Sequence, residues 1–385
     1  MEQKFKCPIC GNEDPKKIGI RNGQKYCRAC LSFIGEKAPL APHTTKSAYF
    51  HLDYELSDEQ HKISEELLDN YIKGKDTLLK AVTGAGKTEL VFKVIRYAIE
   101  HGGKVGFAIP RKDVVVELYE RLHSTFKENK VVAVYGGNSK TLDGDLICLT
   151  THQLYRYPNV FDLLIVDEID AFPYKGNKVL EAMVKNSIRG HLIMMSATPD
   201  DNVINNFKKE GRTILSLNAR YHGYPLPVPE VVKRISFSKT YALIQYLKQF
   251  KLEHKQVFVF TPTIDVCEAT YKMVSIFVKG GNYVHSKHPK RDKIIRDFKD
   301  RKYDYLITTA VLERGVTVKN LQVIVFMADH KLYDEYALVQ ISGRAGRKID
   351  APTGKVIFLV DKENEQIKRC IETIKESNRD LQSLL

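Results

Sequence analysis

The sequence predicts an α/β protein with two parallel-sheet lobes in tandem, preceded by a small cysteine-rich module. From about residue 55 onward, apolar runs of β type alternate with helical stretches, which is typical of a parallel sheet covered on both faces. A proline-rich segment divides these runs into two series, and four of the seven cysteines fall within the first thirty residues. We therefore place a cysteine module at 1–38, a linker at 39–54, a first lobe at 55–219, a second linker at 220–230 and a second lobe at 231–385.

The predicted strands are near-continuous apolar runs. Prolines at 225, 227 and 229 favour an extended, semi-rigid connection between the two series, because alternating prolines cannot lie in a central strand. The first series comprises 77–82, 104–110, 131–135, 146–151, 163–166, 192–196 and 214–217. The second comprises 256–261, 282–285, 305–309, 321–327 and 355–360.

Composition and charge exclude several classes of protein. With 43% hydrophobic and 28% charged residues, the chain is neither disordered, collagen-like nor a small disulfide scaffold. We find no apolar run of the roughly 18 residues that a membrane span needs and no signal-peptide pattern at the start, so we expect an intracellular protein. The formal charge of +13 indicates a polyanionic partner, either nucleic acid or acidic lipid, or merely a soluble basic protein.

A glycine-rich loop follows the first predicted strand and precedes a helical run. The glycines allow backbone N–H groups to point at phosphate oxygens, while a lysine reaches the β- and γ-phosphates and a threonine hydroxyl ligates Mg²⁺. Ala81 stands where the strict pattern has glycine. The predicted nucleotide contacts are Thr83, Gly84, Ala85, Gly86, Lys87, Thr88 and Glu89.

Two carboxylates end a later apolar strand. Asp167 and Glu168 follow the run that ends at Val166, at the edge of the sheet where ligands bind in open α/β folds. We expect Asp167 to hold Mg²⁺ directly or through water, and Glu168 to polarise the attacking water. Paired with the phosphate loop 80 residues earlier, this predicts catalysis of phosphoryl transfer.

Gln60 has two interpretations that the sequence leaves open. It is the third residue after Ser57, the spacing of a capping box at a helix N-terminus. Its amide can instead pair with adenine N6 and N7. Both interpretations need the same amide group.

A run of arginines and glycines lies in the second lobe. On a helix, Arg344 and Arg347 would share a face, and Gly343 and Gly346 would permit close approach of another element. Guanidinium groups stabilise the charge that spreads over a phosphoryl group in its transition state. We therefore predict catalytic roles for Gln340, Arg344 and Arg347.

The order of these motifs resembles that of superfamily 2 helicases and translocases over about residues 50–365. The resemblance implies ATP between two RecA-like lobes, with single-stranded nucleic acid crossing both. It also implies that Ser196, Ala197 and Thr198 couple hydrolysis to lobe movement, and that Gly315 and Thr317 lie near the nucleotide, although Thr317 departs from the DEAD-box form. The implied DNA contacts, which suit backbone phosphate, are Pro110, Arg111, Thr150, Thr151, Gln153, Thr261, Thr263, Thr308 and Thr309.

The cysteines at the start have the spacing of a four-thiolate zinc site, Cys7-x₂-Cys10-x₁₆-Cys27-x₂-Cys30. An intracellular chain would not normally hold them as disulfides, which favours one structural zinc ion. An excess of Lys and Arg in this module suits a grip on nucleic acid. A purely structural cap or a protein-docking ribbon remains open as an alternative.

The cysteine ribbon, the 167–174 segment and the 221–229 linker together resemble the ComFA family of late-competence ATPases, which is similar to the primosomal helicase PriA. The resemblance implies a DNA-dependent ATPase that helps to draw single-stranded DNA through the ComEC channel. It also implies a position at the cytoplasmic face of the membrane, with ComFC and DprA as associates, and it allows an oligomer. The alternatives are a PriA-like replication or repair helicase, an RNA helicase of the same superfamily, and a nucleotide-gated DNA-binding adaptor that does not translocate.

Overall fold

The computed structural model describes residues 5–33, 35–39, 44–52, 54–82, 84–217, 224–235, 237–309, 318–347 and 350–382. The chain forms two compact units, the first of which runs to Leu217 and includes the cysteine module. This confirms the predicted architecture of a small module and two parallel α/β lobes. Within the described ranges, every helix is too short or too polar to cross a lipid bilayer.

The cysteine module is built on one antiparallel hairpin, β1 (Ile18–Arg21) and β2 (Gln24–Cys27). Short 3-10 turns at Pro15–Lys17 and Arg28–Cys30 flank it, so that the two Cys-x₂-Cys pairs meet at the base of the hairpin. Cys7, Cys27 and Cys30 are buried although the module is small. The sulfur cluster therefore replaces a hydrophobic core of ordinary size.

The first lobe is a seven-stranded parallel sheet in the order β5-β6-β4-β7-β8-β3-β9. Nearly every residue of its central strands is buried, as expected for strands covered by helices on both faces. Its strands are β3 (Thr77–Ala81), β4 (Val105–Ile109), β5 (Val131–Val134), β6 (Leu146–Thr150), β7 (Phe161–Val166), β8 (Ile188–Ser196) and β9 (Thr213–Leu217). Its helices are α1 (Asp58–Ile72), α2 (Lys87–Leu90), α3 (Phe92–Glu100), α4 (Lys112–Thr125), α5 (Lys178–Ser187) and α6 (Asp201–Lys209).

The second lobe is a six-stranded parallel sheet in the order β10-β15-β14-β11-β13-β12. Its strands are β10 (Glu230–Lys233), β11 (Gln256–Phe260), β12 (Gly281–Val284), β13 (Tyr305–Thr308), β14 (Leu321–Phe326) and β15 (Val356–Val360). Its helices are α7 (Phe237–Leu252), α8 (Ile264–Phe277), α9 (Arg291–Lys299), α10 (Glu335–Ser342) and α11 (Glu365–Gln382).

The second linker is bound to its own lobe over the residues that the structure describes. The backbone N–H of Leu226 donates to Asn378 Oδ1 on α11 at 2.7 Å, and Asn378 Nδ2 donates back to the Leu226 carbonyl at 2.9 Å. The edge strand β10 begins at Glu230, directly after the last proline, as the rule for prolines beside strands requires. The residues from 224 onward thus belong structurally to the second lobe; 220–223 lie outside the described residues.

Candidate functional site

The phosphate loop occupies the turn between β3 and α2. Gly84 and Gly86 have backbone φ angles of +87° and +75°, in the left-handed region that side chains with a Cβ rarely adopt. Gly86 immediately precedes the helix, and Lys87 and Thr88 form its first turn. Ala85 is buried and donates its N–H to the Val82 carbonyl. Thr83 lies outside the described residues.

The loop brings an ammonium group next to a carboxylate. Lys87 Nζ lies 3.6 Å from Asp167 Oδ1, and the two side chains are 17% and 13% exposed. An ammonium group can bind phosphate oxygens, and a carboxylate can bind a divalent cation. The pair is therefore suited to a phosphate group that carries a bound metal ion. The hydroxyl of Thr88 and the carboxylate of Asp167 are oxygen ligands of the kind that Mg²⁺ prefers.

The turn after β7 is held in an unusual backbone conformation. Glu168 has a φ of +58°, and its N–H donates to the carboxylate of Asp167 at 2.7 Å. Such a conformation in a residue other than glycine persists only where its surroundings impose it, and it is common at functional sites.

A buried hydrogen bond joins two of the predicted motifs. Thr198 Oγ1 donates to Asp170 Oδ2 at 3.0 Å, and the N–H of Thr198 donates to Ser196 Oγ at 3.0 Å. Ser196, Ala197, Thr198 and Asp170 are all at most 8% exposed. Asp170 is not among our predicted site residues. The sequence feature that could have indicated it is its position in the acidic run 167–170.

Strand order explains why these residues meet. β8 lies between β7 and β3, so the segment 196–198 leaves the sheet between the carboxylates after β7 and the phosphate loop after β3. The three segments emerge from the carboxyl ends of adjacent parallel strands, the edge at which open α/β sheets bind ligands. The first lobe thus collects the predicted phosphate, metal, base and coupling residues at one edge.

Glu89, which follows the phosphate loop, is bonded within the first lobe. Its side chain is 7% exposed, and its carboxylate accepts a hydrogen bond from Arg121 Nη1 on α4 at 3.1 Å. A buried carboxylate requires such a partner, and its role here is to attach the helix after the phosphate loop to α4. The side chain of Glu89 thus has a partner within the first lobe, and its contact with nucleotide stays a prediction.

The structure forms the capping box at Ser57. Its N–H donates to Gln60 Oε1 at 2.9 Å, and its Oγ accepts from the Gln60 N–H at 3.3 Å. Gln60 is 3% exposed. The amide oxygen that would accept a hydrogen bond from adenine N6 already accepts one from Ser57 at the N-terminus of α1. The adenine contact stays a prediction.

The arginine run of the second lobe differs from expectation in its backbone. α10 ends at Ser342, and Arg344 and Arg347 lie in the turns that follow, with Gly346 at a φ of +65°. The argument from a shared helix face is therefore wrong, because α10 ends before either arginine. Gln340 is 6% and Arg344 2% exposed, and Arg347 Nε donates to the Gly343 carbonyl at 3.1 Å.

Most of the threonines proposed for DNA contact are buried within their own lobe. Thr261 Oγ1 and N–H both donate to the Thr308 carbonyl, at 3.0 and 2.7 Å, and Thr308 Oγ1 donates to the Thr309 carbonyl at 3.1 Å. Thr263 Oγ1 caps α8 by accepting from the Val266 N–H at 3.2 Å. Phosphate contact by these threonines stays a prediction, and for Thr261 and Thr308 it requires that the hydroxyl leave the carbonyl to which it now donates.

The corresponding segment of the first lobe is also largely internal. Pro110, Thr150 and Thr151 are buried, Arg111 is partly exposed, and Gln153 Oε1 accepts from Arg156 Nε at 2.7 Å. Arg156 was not among our predicted residues, since nothing in its spacing distinguishes it from other surface arginines. Gly315 and Thr317 lie outside the described residues.

The four cysteines at the start of the chain form one cluster. Their sulfur atoms all lie within 4.8 Å of one another; Cys7 and Cys30 are separated by 3.8 Å, and Cys10 and Cys27 by 3.7 Å. Zn–S bonds of about 2.3 Å in a tetrahedron place the sulfurs about 3.8 Å apart, so the cluster fits zinc. Burial raises the pKa of Cys10 to about 11 and that of Cys30 well above its usual range, which a bound cation would oppose.

Comparison with known sequences identifies the family. The chain is 33% identical to the competence protein ComFA of Bacillus subtilis (strain 168), over 98% of this chain and 86% of that protein. It is 32% identical to ComFA of Streptococcus pneumoniae, over 98% and 91%. The chain belongs to the ComFA family. Two domain families also match within this ComFA-family chain: "Type III restriction enzyme, res subunit" over residues 53–201 and "Helicase conserved C-terminal domain" over residues 238–348.

Solved structures support the same fold for this ComFA-family protein. It superposes on S. cerevisiae Dbp5 bound to RNA and ADP BeF3 with a TM-score of 0.63 at 15% identity, covering 84% of this chain and 92% of that one. It superposes on RecG bound to a three-way DNA junction with a TM-score of 0.62 at 19% identity, covering 86% and 47%. Both lobes are RecA-like, and the protein is a superfamily 2 ATP-dependent helicase that uses ATP with Mg²⁺.

Proposed function

We propose that this protein hydrolyses ATP to move along single-stranded DNA and so helps to bring transforming DNA into the cell. The observation that carries the enzymatic part is the pairing of Lys87 with Asp167 at 3.6 Å beside the left-handed turn at Glu168. Membership of the ComFA family supports a role in competence. The net charge of +13 favours a polyanionic substrate.

The first lobe supplies the residues for hydrolysis. The N–H groups of the 84–88 turn would bind the β- and γ-phosphates, and Lys87 would leave Asp167 to contact them. Thr88 and Asp167 would hold Mg²⁺, which when bound neutralises charge on the phosphates. Glu168 would orient and deprotonate the attacking water.

The second lobe supplies positive charge. Arg344 and Arg347 would stabilise the charge that spreads over the transferring phosphoryl group, and Gln340 would help to position it. The bond from Thr198 to Asp170 would report the state of the phosphate site to the rest of the lobe, because Asp170 lies two residues after Glu168. We propose this pair as the origin of coupling between hydrolysis and movement.

We also propose one structural zinc ion in the cysteine module. Cys7, Cys10, Cys27 and Cys30 would hold it as thiolates, and the separations of 3.7 and 3.8 Å support this ligand set. Metal analysis of protein purified without added zinc should find about one ion per chain. Cys27→Ser should lose the ion, whereas Cys148→Ser, a change at a buried cysteine of the first lobe, should retain it. A zinc-free wild-type protein would refute the assignment.

Resemblance to the ComFA family supports a cytoplasmic location at the inner face of the membrane, near the ComEC channel, with ComFC and DprA as associates. These proposals rest on family resemblance and not on a surface of this chain. Co-purification with each associate from competent cells is the direct measurement. Recovery of none of them from cells that take up DNA would argue against this placement.

The central experiment compares the ATPase rate with single-stranded DNA, duplex DNA and RNA at equal nucleotide concentration. We expect the greatest stimulation with single-stranded DNA. Greatest stimulation by RNA would indicate an RNA helicase. Displacement of streptavidin from biotinylated single-stranded DNA then separates a translocating motor from an adaptor that hydrolyses ATP without moving.

A further inference from the structure

The cysteine module is docked on one specific part of the first lobe. Asn186 Nδ2 on α5 donates to the Ile9 carbonyl at 2.8 Å, and Val179 packs against the hydrophobic side chains around the cysteines. Ile9, Phe33 and Ala38 pack in turn against the hydrophobic core of the lobe. The module is thus continuous with the interior of the first lobe and is not a separate domain on a free tether.

The end of the module contacts the 3-10 segment Thr151–Arg156, which directly follows β6. The ring of Phe33 stacks on His152, with centroids 6.0 Å apart and planes 26° apart, and lies at the same centroid distance from Tyr155. This segment begins with two of the residues, Thr151 and Gln153, for which we propose a role in DNA binding.

The main chain forms a second connection to the same segment. Arg156 Nη1 donates to the Glu36 carbonyl at 2.7 Å, and the N–H of Ala38 donates to the Arg156 carbonyl at 3.0 Å. The same guanidinium donates through Nε to Gln153 Oε1 at 2.7 Å. Arg156 therefore joins the module on one side to a proposed DNA-binding residue on the other.

The connection begins at the sulfur cluster. The N–H of Phe33 donates to the carbonyl of Cys30 at 2.9 Å, so the aromatic ring is held three residues from a proposed zinc ligand. The basic hairpin residues Arg21 and Lys25 are exposed and belong to β1 and β2, not to these contacts. The part of the module that is suited to gripping DNA and the part that contacts the lobe are different.

We propose that the cysteine module is a positioning element: through Phe33 and Arg156 it holds the 151–156 segment in the conformation that binds single-stranded DNA. This inference rests on the proposed function, since it concerns the DNA site of the same motor. Phe33 would act as a positioning residue, through its stack on His152. The alternative, direct gripping of DNA by the hairpin, becomes an outcome of the test.

The test compares three variants of the full-length protein. Phe33→Ala removes the stack, Phe33→Tyr conserves it, and Arg21→Ala/Lys25→Ala neutralises the hairpin. The readouts are affinity for a fluorescent single-stranded oligonucleotide without ATP, the DNA concentration that half-maximally stimulates ATPase, zinc content, and hydrogen exchange of the 151–156 peptide.

We expect Phe33→Ala to weaken both DNA parameters by about two- to tenfold, the range set by one aromatic pair. Its zinc content should be retained and hydrogen exchange at 151–156 should be faster. Phe33→Tyr and the hairpin variant should remain within about twofold of wild type. If only the hairpin variant weakens binding, the module grips DNA directly and the inference is wrong. Unchanged binding and exchange in Phe33→Ala would also overturn it.

A second variant guards against loss of folding in Phe33→Ala. Arg156→Lys keeps the charge but replaces two separate donor nitrogens, Nε and Nη1, by a single ammonium nitrogen, so the fixed geometry that joins Gln153 to the Glu36 carbonyl is lost. Weaker DNA binding with intact zinc supports positioning, whereas wild-type binding and exchange in this variant would count against it. A wild-type ATPase that no single-stranded DNA stimulates would refute the proposed function, while exchange at 151–156 would still test the docking.

Discussion

The carboxyl edges of the two sheets differ in the chemistry that they present. In the first lobe, unlike charges lie close together, with Lys87 Nζ 3.6 Å from Asp167 and both side chains partly exposed. In the second lobe, the hydroxyls of Thr261 and Thr308 are bonded to main-chain carbonyls and are fully buried. The same parallel architecture therefore carries reactive groups in one lobe and mainly structural hydroxyls in the other.

This difference suggests a division of labour. Lys87 and Asp167, for which we propose phosphate and metal binding, lie in the first lobe, 80 residues apart in sequence but adjacent in space. The second lobe offers the guanidinium groups of Arg344 and Arg347 in the turns after α10. Removal of a charged side chain from either lobe should therefore lower turnover. Removal from the first lobe should in addition weaken nucleotide binding.

The largest effect should come from the arginines of the second lobe. Arg347→Ala should lower kcat by about 10³ to 10⁵, the contribution of an arginine that stabilises phosphoryl transfer, with little change in ATP affinity. Steady-state ATPase and nucleotide binding measure the two quantities. Arg379→Ala, at an exposed arginine of α11, is the matched control. Equal kcat in both variants would show that Arg347 has no catalytic role.

Glu168→Gln should lower kcat by about 10² to 10⁴, because an amide cannot accept the proton of water, while ATP binding is retained. Lys87→Ala should instead weaken nucleotide binding by about 10- to 150-fold, as expected for a lost charge-assisted hydrogen bond. Calorimetric titration with ATP separates the two. Glu120→Gln, at an exposed position of α4, serves as control. Full activity in Glu168→Gln would show that our base assignment is wrong.

The buried bond between the two motifs of the first lobe should have an intermediate effect. Thr198→Ala leaves Asp170 without its hydroxyl donor and should lower the free energy of unfolding by about 1–3 kcal/mol. If the bond couples hydrolysis to movement, streptavidin displacement should fall more than ATPase. Thr198→Ser keeps the hydroxyl and should restore both. Equal loss of the two activities in Thr198→Ala would indicate a purely structural bond.

The smallest effect concerns pH at the docked module. Burial lowers the pKa of His152 below its usual value of 6.5, so the folded protein favours the neutral ring. The unfolded chain then binds more protons below pH 6.5, and this contribution to stability is complete above that pH and declines as pH falls through it. Melting temperatures from pH 7.5 to 5.5 should therefore fall more for wild type than for His152→Phe. Parallel curves would contradict this.

The predicted strands agree closely with the structure, because apolar runs in a parallel sheet are buried on both faces and leave a strong signal. Predicted β8 began at residue 192 and the structure begins it at Ile188. The edge strand β10 was not predicted, since Glu230–Lys233 is short and half polar. α10 stops at Ser342, and the left-handed glycine of the following turns is Gly346, so the prediction of one helix carrying both arginines placed the helix end too late.

The sequence by itself determined the two parallel lobes, the phosphate loop and the cysteine cluster, because each depends on residues close together in the chain. Tertiary structure decided which distant side chains meet: that β8 separates β7 from β3, that Thr198 bonds Asp170, and that Phe33 stacks on His152. The order of the strands and the docking of the cysteine module depend on the packing free energy of many residues together. The spacing of motifs along the chain does not reveal that free energy.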